Sequence, residues 1–152
     1  MMALYGSLNN RMDEGRNLLG RPIRAGDDIT MYFWSDRHCY YVSEVIDQRH
    51  IMVLPYHVVA DHDKAGGMGH QNWLYFKSVN ERNRYLNRFL KEGDRPYRTD
   101  LPEAKPDEWV FRWGQWRRVV RRLVDGKEVR KTEGLSGKVS FGVRDYYYDW
   151  EF

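Results

Sequence analysis

The chain has 152 residues, of which 41% are apolar and 31% charged, and its 25 basic residues outnumber 22 acidic ones. This length predicts one ordinary core, and no apolar run approaches the roughly 20 residues that a membrane span needs. No signal-peptide pattern is visible, and the lone Cys39 excludes an intramolecular disulfide and indicates a reducing compartment. We therefore expect an intracellular protein with no membrane segment.

The first half of the chain predicts a short helix followed by strands. Ser7 is a suitable cap and Gly15 a suitable end for a helix over about 7–14. Three runs rich in β-branched and aromatic residues then predict strands over 29–34, 38–46 and 51–59. Pro55 has no N–H to donate, so we expect an edge position or a bulge in the third run.

The middle of the chain predicts a helical insertion. Residues 61–69 are a glycine-containing loop, and 72–77 predict a fourth strand. Ser78 and Glu81 form a capping-box pattern that begins a helix to about Lys91. A linker with three prolines follows, so residues 78–107 are expected to be a helical, Pro-rich insertion within a single domain, 1–152.

The second half predicts a hairpin and a closing strand. We expect strands over 109–113 and 116–123, a polar loop from Asp125 to about Gly137, and a final strand over 139–152. The whole pattern predicts an α+β fold, mainly antiparallel β-sheet with a short N-terminal helix and one inserted helix.

No strong catalytic motif is present. The chain lacks a phosphate-binding glycine loop and paired cysteines. His38 and Cys39 are adjacent on a predicted strand and point to opposite faces, so a buried structural thiol is expected. The histidines and aspartates of 57–70 have no helix to fix their spacing, which favours surface side chains over a metal site. We expect no catalytic residue, no metal and no cofactor.

The hairpin is rich in arginine and aromatic side chains. Residues 112–122 contain five arginines and no acid, and the rings of Phe111, Trp113 and Trp116 are close to these arginines. One interpretation is a solvated edge strand that charge protects from aggregation. The other is a surface where arginines hold phosphates and rings stack on bases.

Two further clusters combine rings with charges. One is the turn Trp34-Ser35-Asp36-Arg37-His38, and the other is the terminal block from Gly142 to Phe152, which has five rings in its last seven residues. Such aromatic area is expected to be buried in the fold or against a partner. A guanidinium beside a ring also suits a phosphate.

Together these pieces resemble a family of small bacteriophage and prophage proteins. The resemblance rests on the Trp34–His38 turn after 29–33, on Gly67-Met68-Gly69, on 109–112 with Trp116, and on the terminal block. The characterised members that this pattern is similar to are the first-described Thoeris anti-defence proteins.

The resemblance implies a nucleotide sponge in the host cytoplasm. It implies sequestration, without catalysis, of glycocyclic ADP-ribose or cyclic oligonucleotides, by a dimer or hexamer with recessed pockets between protomers. Phe111 would stack on adenine, and Arg37 and Arg144 would hold the diphosphate. The other implied ligand-binding residues are Trp34, Asp36, Met68, Arg112, Trp116 and Tyr147. The insertion at 78–107 interrupts what is usually a short connection in the family.

Two other function classes stay open from the residues. A small RNA- or DNA-binding module would use the arginine-rich hairpin and bind with steep salt dependence. A host-takeover interaction module would use the same aromatic and arginine side chains in a protein interface.

Overall fold

The computed structural model describes residues 17–33, 35–61 and 72–146. They form an α+β fold that is mainly antiparallel sheet, as predicted. Two compact units are present: a sheet unit, built from the chain up to Val53 and from Pro106 onward, and an inserted unit, Leu54–Lys105. The predicted insertion at 78–107 covers only the second half of that inserted unit.

The sheet unit contains seven strands. They are β1 (Asp28–Tyr32), β2 (Arg37–Asp47), β3 (His50–Pro55), β6 (Asp107–Arg112), β7 (Gln115–Val124), β8 (Lys127–Gly134) and β9 (Lys138–Phe141), while β4 (His57–Ala60) and β5 (Trp73–Phe76) belong to the inserted unit. Their order across the sheet is β8-β7-β6-β3-β2-β1-β9. The β1–β2, β1–β9, β3–β6, β6–β7 and β7–β8 pairs are antiparallel.

The sheet is strongly curled. Four strands separate β7 from β9, which in a flat sheet would place them roughly 24 Å apart. Nevertheless, the ring centroids of Trp116 on β7 and Phe141 on β9 are only 5.3 Å apart. These two rings, with Ile29, Ile51 and Trp109, belong to one buried cluster. We call the surface that carries this core the concave face.

The opposite surface of β1 and β2, the outer face, is covered by the chain after β9. Thr30 Oγ1 donates to the carbonyl of Val143 at 2.7 Å and accepts from the N–H of Asp145 at 3.1 Å. Thr30 and its cross-strand neighbours Cys39 and Ser140 are consequently buried. The Cys39 thiol is 3% exposed, which confirms the prediction of a buried structural thiol.

The inserted unit consists of a hairpin and a helix. Strands β4 (His57–Ala60) and β5 (Trp73–Phe76) pair antiparallel, and α1 (Val79–Asn87) follows. Ser78 caps α1 as predicted, since its Oγ accepts from the N–H of Glu81 at 3.1 Å. The segment after α1 is irregular and runs along the helix, where asparagine side chains of α1 donate hydrogen bonds to its backbone carbonyls.

Four predicted boundaries are corrected. The run 51–59 is divided at Pro55 between two sheets, because proline cannot continue the hydrogen-bond ladder. The predicted loop 125–137 contains β8, which pairs with β7 over eight residues. As a result, β7 is an inner strand and β8 forms the edge, so the edge-strand interpretation of 116–123 is wrong.

The other two corrections concern element ends. Helix α1 ends at Asn87 rather than near Lys91. The backbone N–H groups of the next two residues, Arg88 and Phe89, form tighter hydrogen bonds to carbonyls three positions back. The last strand ends at Phe141, and 142–146 are not regular strand. The predicted N-terminal helix and the remainder of the terminal strand lie outside the described residues.

Candidate functional site

A candidate site is a cavity on the concave face of the sheet unit. Its volume is about 490 Å³, within the roughly 300–1,000 Å³ typical of small-molecule sites. Its walls come from the β6–β7 hairpin and from residues 135–139, which enter β9. The curl of the sheet brings these two segments together, although they belong to strands far apart in the sheet order.

Two predicted site residues form the aromatic wall of this cavity. Phe111 and Trp116 are direct cross-strand partners, and their ring centroids lie 5.5 Å apart in an edge arrangement. Strand alternation places both side chains on the concave face, beside the core. Trp116 is 9% exposed and packs on Phe141, so the core fixes its ring. Phe111 is half-buried.

A tight turn adds a third ring at the rim. Trp113 and Gly114 have φ values of 53° and 74°, which define a two-residue hairpin turn between Arg112 and Gln115. The Trp113 side chain is 77% exposed, and the guanidinium of Arg117 lies 4.8 Å from its ring centroid. The prediction placed this turn one residue later, at Gly114-Gln115. It named Trp113 as a possible stacking ring near the arginines but not among the ligand-binding residues.

The polar wall was missed by the sequence analysis. Gln115, Ser136 and Lys138 also line the cavity, and Lys138 is the one cationic residue among the described residues of this lining. Gly137 lies so close to β1 that a Cβ at this position would collide with the carbonyl oxygen of Tyr32. The only sequence signal for this segment was the Ser-Gly pair in a predicted loop. The cavity therefore combines rings for stacking with one cation and neutral hydrogen-bonding groups.

The predicted phosphate-binding arginines do not line this cavity. Arg37 Nη1 lies 2.6 Å from Asp145 Oδ2, on the outer face. Arg144 is exposed and lies near enough to Cys39 for its charge to lower the thiol pKa. Burial has the larger, opposite effect and raises the pKa of Cys39 to about 12.

The remaining predicted residues are distributed as follows. Asp36 lies in the β1–β2 turn, where its backbone carbonyl accepts from the N–H of Phe33 at 2.9 Å. Arg112 is exposed beside the hairpin turn. Among the predicted residues in the described ranges, only Phe111 and Trp116 line the cavity. Trp34, Met68 and Tyr147 lie outside the described residues.

The arginine-rich hairpin carries its own counter-charges. Glu108 accepts from Arg121 at 3.2 Å and is in contact with His50 and Arg130. Burial alone would raise the pKa of Glu108, but hydrogen bonds from His50 and Arg121 outweigh it and the pKa is lowered. Arg121 also pairs with Glu128 at 3.2 Å. Strand β8, which was predicted to be a loop, thus supplies acidic side chains to this surface and reduces the positive charge of the surface.

Comparisons with known protein families, with curated proteins and with solved structures found no match. Within the described ranges, no three His, Cys, Asp or Glu side chains are grouped as a metal site would require. The same ranges contain no helix with the length and apolar character needed to cross a membrane.

Proposed function

We propose that the protein binds a cyclic nucleotide in the cavity of the sheet unit and holds it without chemical change. The observation that carries the proposal is the presence of Phe111, Trp116 and Lys138 in one cavity of about 490 Å³. A nucleotide combines a flat base with an anionic phosphate, and this cavity offers rings and a cation together.

The energetics favour an enclosed site over the arginine surface. Stacking on an aromatic side chain contributes about 1–3 kcal/mol per base. A nanomolar sponge needs about 12 kcal/mol, so stacking must be combined with a phosphate contact and with burial of the ligand. The cavity provides walls on two sides, whereas the outer hairpin surface is open and partly neutralised by Glu108 and Glu128.

The biological role in this proposal follows the sequence resemblance. The ligand would be an immune signal such as glycocyclic ADP-ribose, and the protein would act as a phage anti-defence sponge, assembled as a dimer or hexamer. Phe111 keeps the stacking role that the resemblance implies. Lys138 takes the phosphate contact, in place of Arg37, whose guanidinium is paired with Asp145.

The test is ligand binding followed by recovery of the ligand. Thermal shift and calorimetry with glycocyclic ADP-ribose isomers, cyclic oligonucleotides and single-stranded oligonucleotides should show stabilisation by a cyclic nucleotide. The complex is then denatured, and mass spectrometry should recover that nucleotide intact. Stabilisation only by oligonucleotides, with steep salt dependence, would instead indicate a nucleic-acid module. A linear product would indicate an enzyme.

Two variants locate the site. Lys138→Gln removes the charge at an exposed position and should weaken binding about tenfold, as expected for the loss of one charge-assisted contact. Phe89→Ala is the matched control, because Phe89 is 64% exposed in the inserted unit and should leave binding unchanged. Equal effects of the two variants would contradict the cavity as the site.

A further inference from the structure

The end of the β7–β8 hairpin extends beyond the rest of the sheet. Strand β6 pairs with β7 only as far as Arg118, so from Val119 onward β8 is the one described strand that pairs with β7. Residues 121–131 are all exposed, whichever face of the hairpin they lie on. We call residues 120–131 the free ribbon. A two-stranded hairpin on its own gains little stability in water, so this extension calls for an explanation.

The outer face of the free ribbon is close to neutral. Arg121 Nη2 lies 3.2 Å from Glu108 Oε1 on β6, and Arg121 Nη1 lies 3.2 Å from Glu128 Oε1 on β8. Arg130, the cross-strand partner of Arg121, has its Nη2 atom 3.8 Å from Glu108 Oε2. Both cations of this face are therefore matched by carboxylates.

The concave side of the free ribbon carries cations without acids. Strand alternation places three cross-strand pairs on this side, each of which joins a valine to a cation: Val120 with Lys131, Arg122 with Val129, and Val124 with Lys127. Within the described ranges, none of these three cations forms an ion pair. The two acids of the free ribbon lie elsewhere, Asp125 in the tip turn and Glu128 on the outer face.

This separation of charge by face indicates a partner rather than protection of an edge. Charges that keep an edge strand from aggregating are effective on either face, and they do not require the acids to lie on one side only. On the concave side each successive pair supplies one cation, and successive pairs on a face are about 6.8 Å apart along a strand. Three cations in a row at this spacing are complementary to a regular row of anions.

A DNA duplex provides such a row in a groove of the right size. The major groove of B-DNA is about 12 Å wide and admits a two-stranded β-ribbon, and phosphates follow both of its edges. The valines between the cations are small enough to enter the groove, where thymine offers a methyl group for apolar contact. Segments that lie on membranes instead bury large apolar and aromatic side chains. The large apolar residue of the free ribbon, Leu123, lies on the outer face opposite Glu128.

We propose that the concave side of the free ribbon is a docking surface for the phosphate backbone of double-stranded DNA, with Arg122, Lys127 and Lys131 as the phosphate contacts. Phosphate contacts position a protein on DNA without reading its sequence, so duplexes of mixed sequence are the expected ligands. This surface goes beyond the proposed function, because none of its residues lines the nucleotide cavity.

The experiment measures how salt weakens binding to a labelled DNA duplex of mixed sequence, by fluorescence anisotropy. Each neutralised phosphate contributes about −0.9 to the slope of log affinity against log salt. Three contacts give a slope of about −2.7, which lowers the affinity about 40-fold between about 50 and 200 mM salt. The triple variant Arg122→Gln/Lys127→Gln/Lys131→Gln should bind more weakly than the wild type, with a slope shallower by about this amount.

The matched control removes the same charge from another surface. Lys91, Arg95 and Lys105 are exposed in the inserted unit, and replacing all three by glutamine gives the same net charge as the ribbon variant. The control should keep the wild-type affinity and slope, and both triple variants should keep the wild-type melting temperature. Equal losses of affinity in the two variants would mean that net charge alone attracts DNA, and would overturn the docking surface.

A second measurement needs no variant. When the duplex is titrated into ¹⁵N-labelled wild type, the backbone amide signals of residues 120–131 should shift and those of 91–105 should stay in place. Unchanged signals for 120–131 at saturating duplex would contradict the proposal, even if the protein binds DNA elsewhere.

Two other anionic probes test the kind of partner. Vesicles of phosphatidylcholine with phosphatidylserine represent a membrane surface, and polyglutamate represents an acidic protein. If either probe binds in a manner that depends on the three cations while the duplex does not bind, the assignment to DNA is wrong.

The docking surface and the proposed function fail separately. The ribbon variant should bind a cyclic nucleotide as the wild type does, because its three substitutions lie outside the cavity. If no cyclic nucleotide binds the wild type while the duplex binds through the ribbon, the sponge function is wrong and the docking surface stands. If a cyclic nucleotide binds while the duplex does not, the docking surface is wrong and the sponge function stands.

Discussion

Arg37 and Asp145 are 108 residues apart in sequence, and their side chains meet at 2.6 Å. The contact joins the start of β2 to the chain that follows β9. Both side chains are largely covered, with 17% and 29% of their surface exposed. Thr30 adds two hydrogen bonds to the same segment, and Tyr146 stacks on His38 with centroids 5.5 Å apart. The contacts of Thr30 and Arg37 hold the chain after β9 on the outer face.

The first prediction concerns Arg37. Arg37→Ala removes a partly buried ion pair and leaves the Asp145 carboxylate with one fewer donor, so we expect a loss of roughly 1–3 kcal/mol in the free energy of unfolding. The measurement is urea denaturation followed by tryptophan fluorescence. Arg112→Ala is the matched control at an exposed position and should change stability little. If Arg37→Ala instead leaves stability intact and abolishes nucleotide binding, Arg37 is a ligand contact rather than an anchor.

The second prediction concerns the pH dependence of Glu108. Hydrogen bonds from His50 and Arg121 outweigh burial and hold the pKa of Glu108 below its usual 4.5. The folded state then binds this proton more weakly than the unfolded state does. The stabilising contribution is complete above the unfolded pKa and is lost as the pH falls through the folded one. Glu108→Gln should therefore flatten the decline of stability below about pH 5.

The measurement for Glu108 is a series of chemical denaturations between pH 7 and pH 3. Glu103→Gln serves as control, since Glu103 is exposed in the inserted unit. Asp27, whose pKa is lowered chiefly by its hydrogen bond from Arg21, contributes to the same acid range in every variant. Only the difference between the two substitutions is therefore informative. Identical curves for both variants would contradict a central role of Glu108.

The strands that the sequence predicted correctly are those with an apolar face. Ile29 and Met31 alternate on β1, and both are buried. Strand β8 was missed because its side chains are almost all exposed, so no alternation of apolar residues marks it. Strand β8 is held by backbone hydrogen bonds to β7. The register is set by the turn at Asp125-Gly126, where φ is 51° and 76°. The Asp-Gly pair was the one usable signal.

Only the part of the candidate site that is formed by residues close together in sequence could be predicted. Phe111 and Trp116 are five residues apart, and a hairpin necessarily makes them neighbours. Lys138 and Ser136 reach the same cavity because the sheet curls, which depends on long-range packing such as that of Trp116 on Phe141. The phosphate role of Arg37 was assigned from a local motif, and Asp145 could not be identified as its partner from sequence spacing.

The third prediction concerns residues 135–138, which line the cavity of the sheet unit. A Cβ at Gly137 would collide with the Tyr32 carbonyl oxygen, so Gly137→Ala must displace 135–138 or the end of β1. We expect a loss of about 1–3 kcal/mol in stability, typical of overpacking, together with weaker nucleotide binding. Gly134→Ala is the matched control, because the nearest atom to its Cβ would be Arg117 Nη1 at 4.0 Å. Unchanged stability and binding in Gly137→Ala would contradict the close approach.

The last prediction concerns three asparagines on α1. At positions 80, 83 and 87 they lie on one side of the helix, and each binds the backbone of the irregular segment that follows. Asn80 both donates to and accepts from Leu101, Asn83 Nδ2 donates to the Arg98 carbonyl at 2.7 Å, and Asn87 pairs with Tyr97 in the same two-way manner. These asparagine side chains therefore give the backbone of residues 97–101 the hydrogen bonds that a neighbouring strand would otherwise provide.

Hydrogen exchange resolves these contacts one at a time. The Leu101 N–H donates to Asn80 Oδ1 at 3.0 Å, and the Tyr97 N–H donates to Asn87 Oδ1 at 2.8 Å. Asn80→Ala should speed exchange at Leu101 and leave Tyr97 largely protected, and Asn87→Ala should do the reverse. Asn83 is 4% exposed, so Asn83→Ala should destabilise the whole segment and accelerate exchange at both amides. If Asn80→Ala and Asn87→Ala each deprotect both amides equally, residues 97–101 open as one cooperative unit and the asparagines do not act separately.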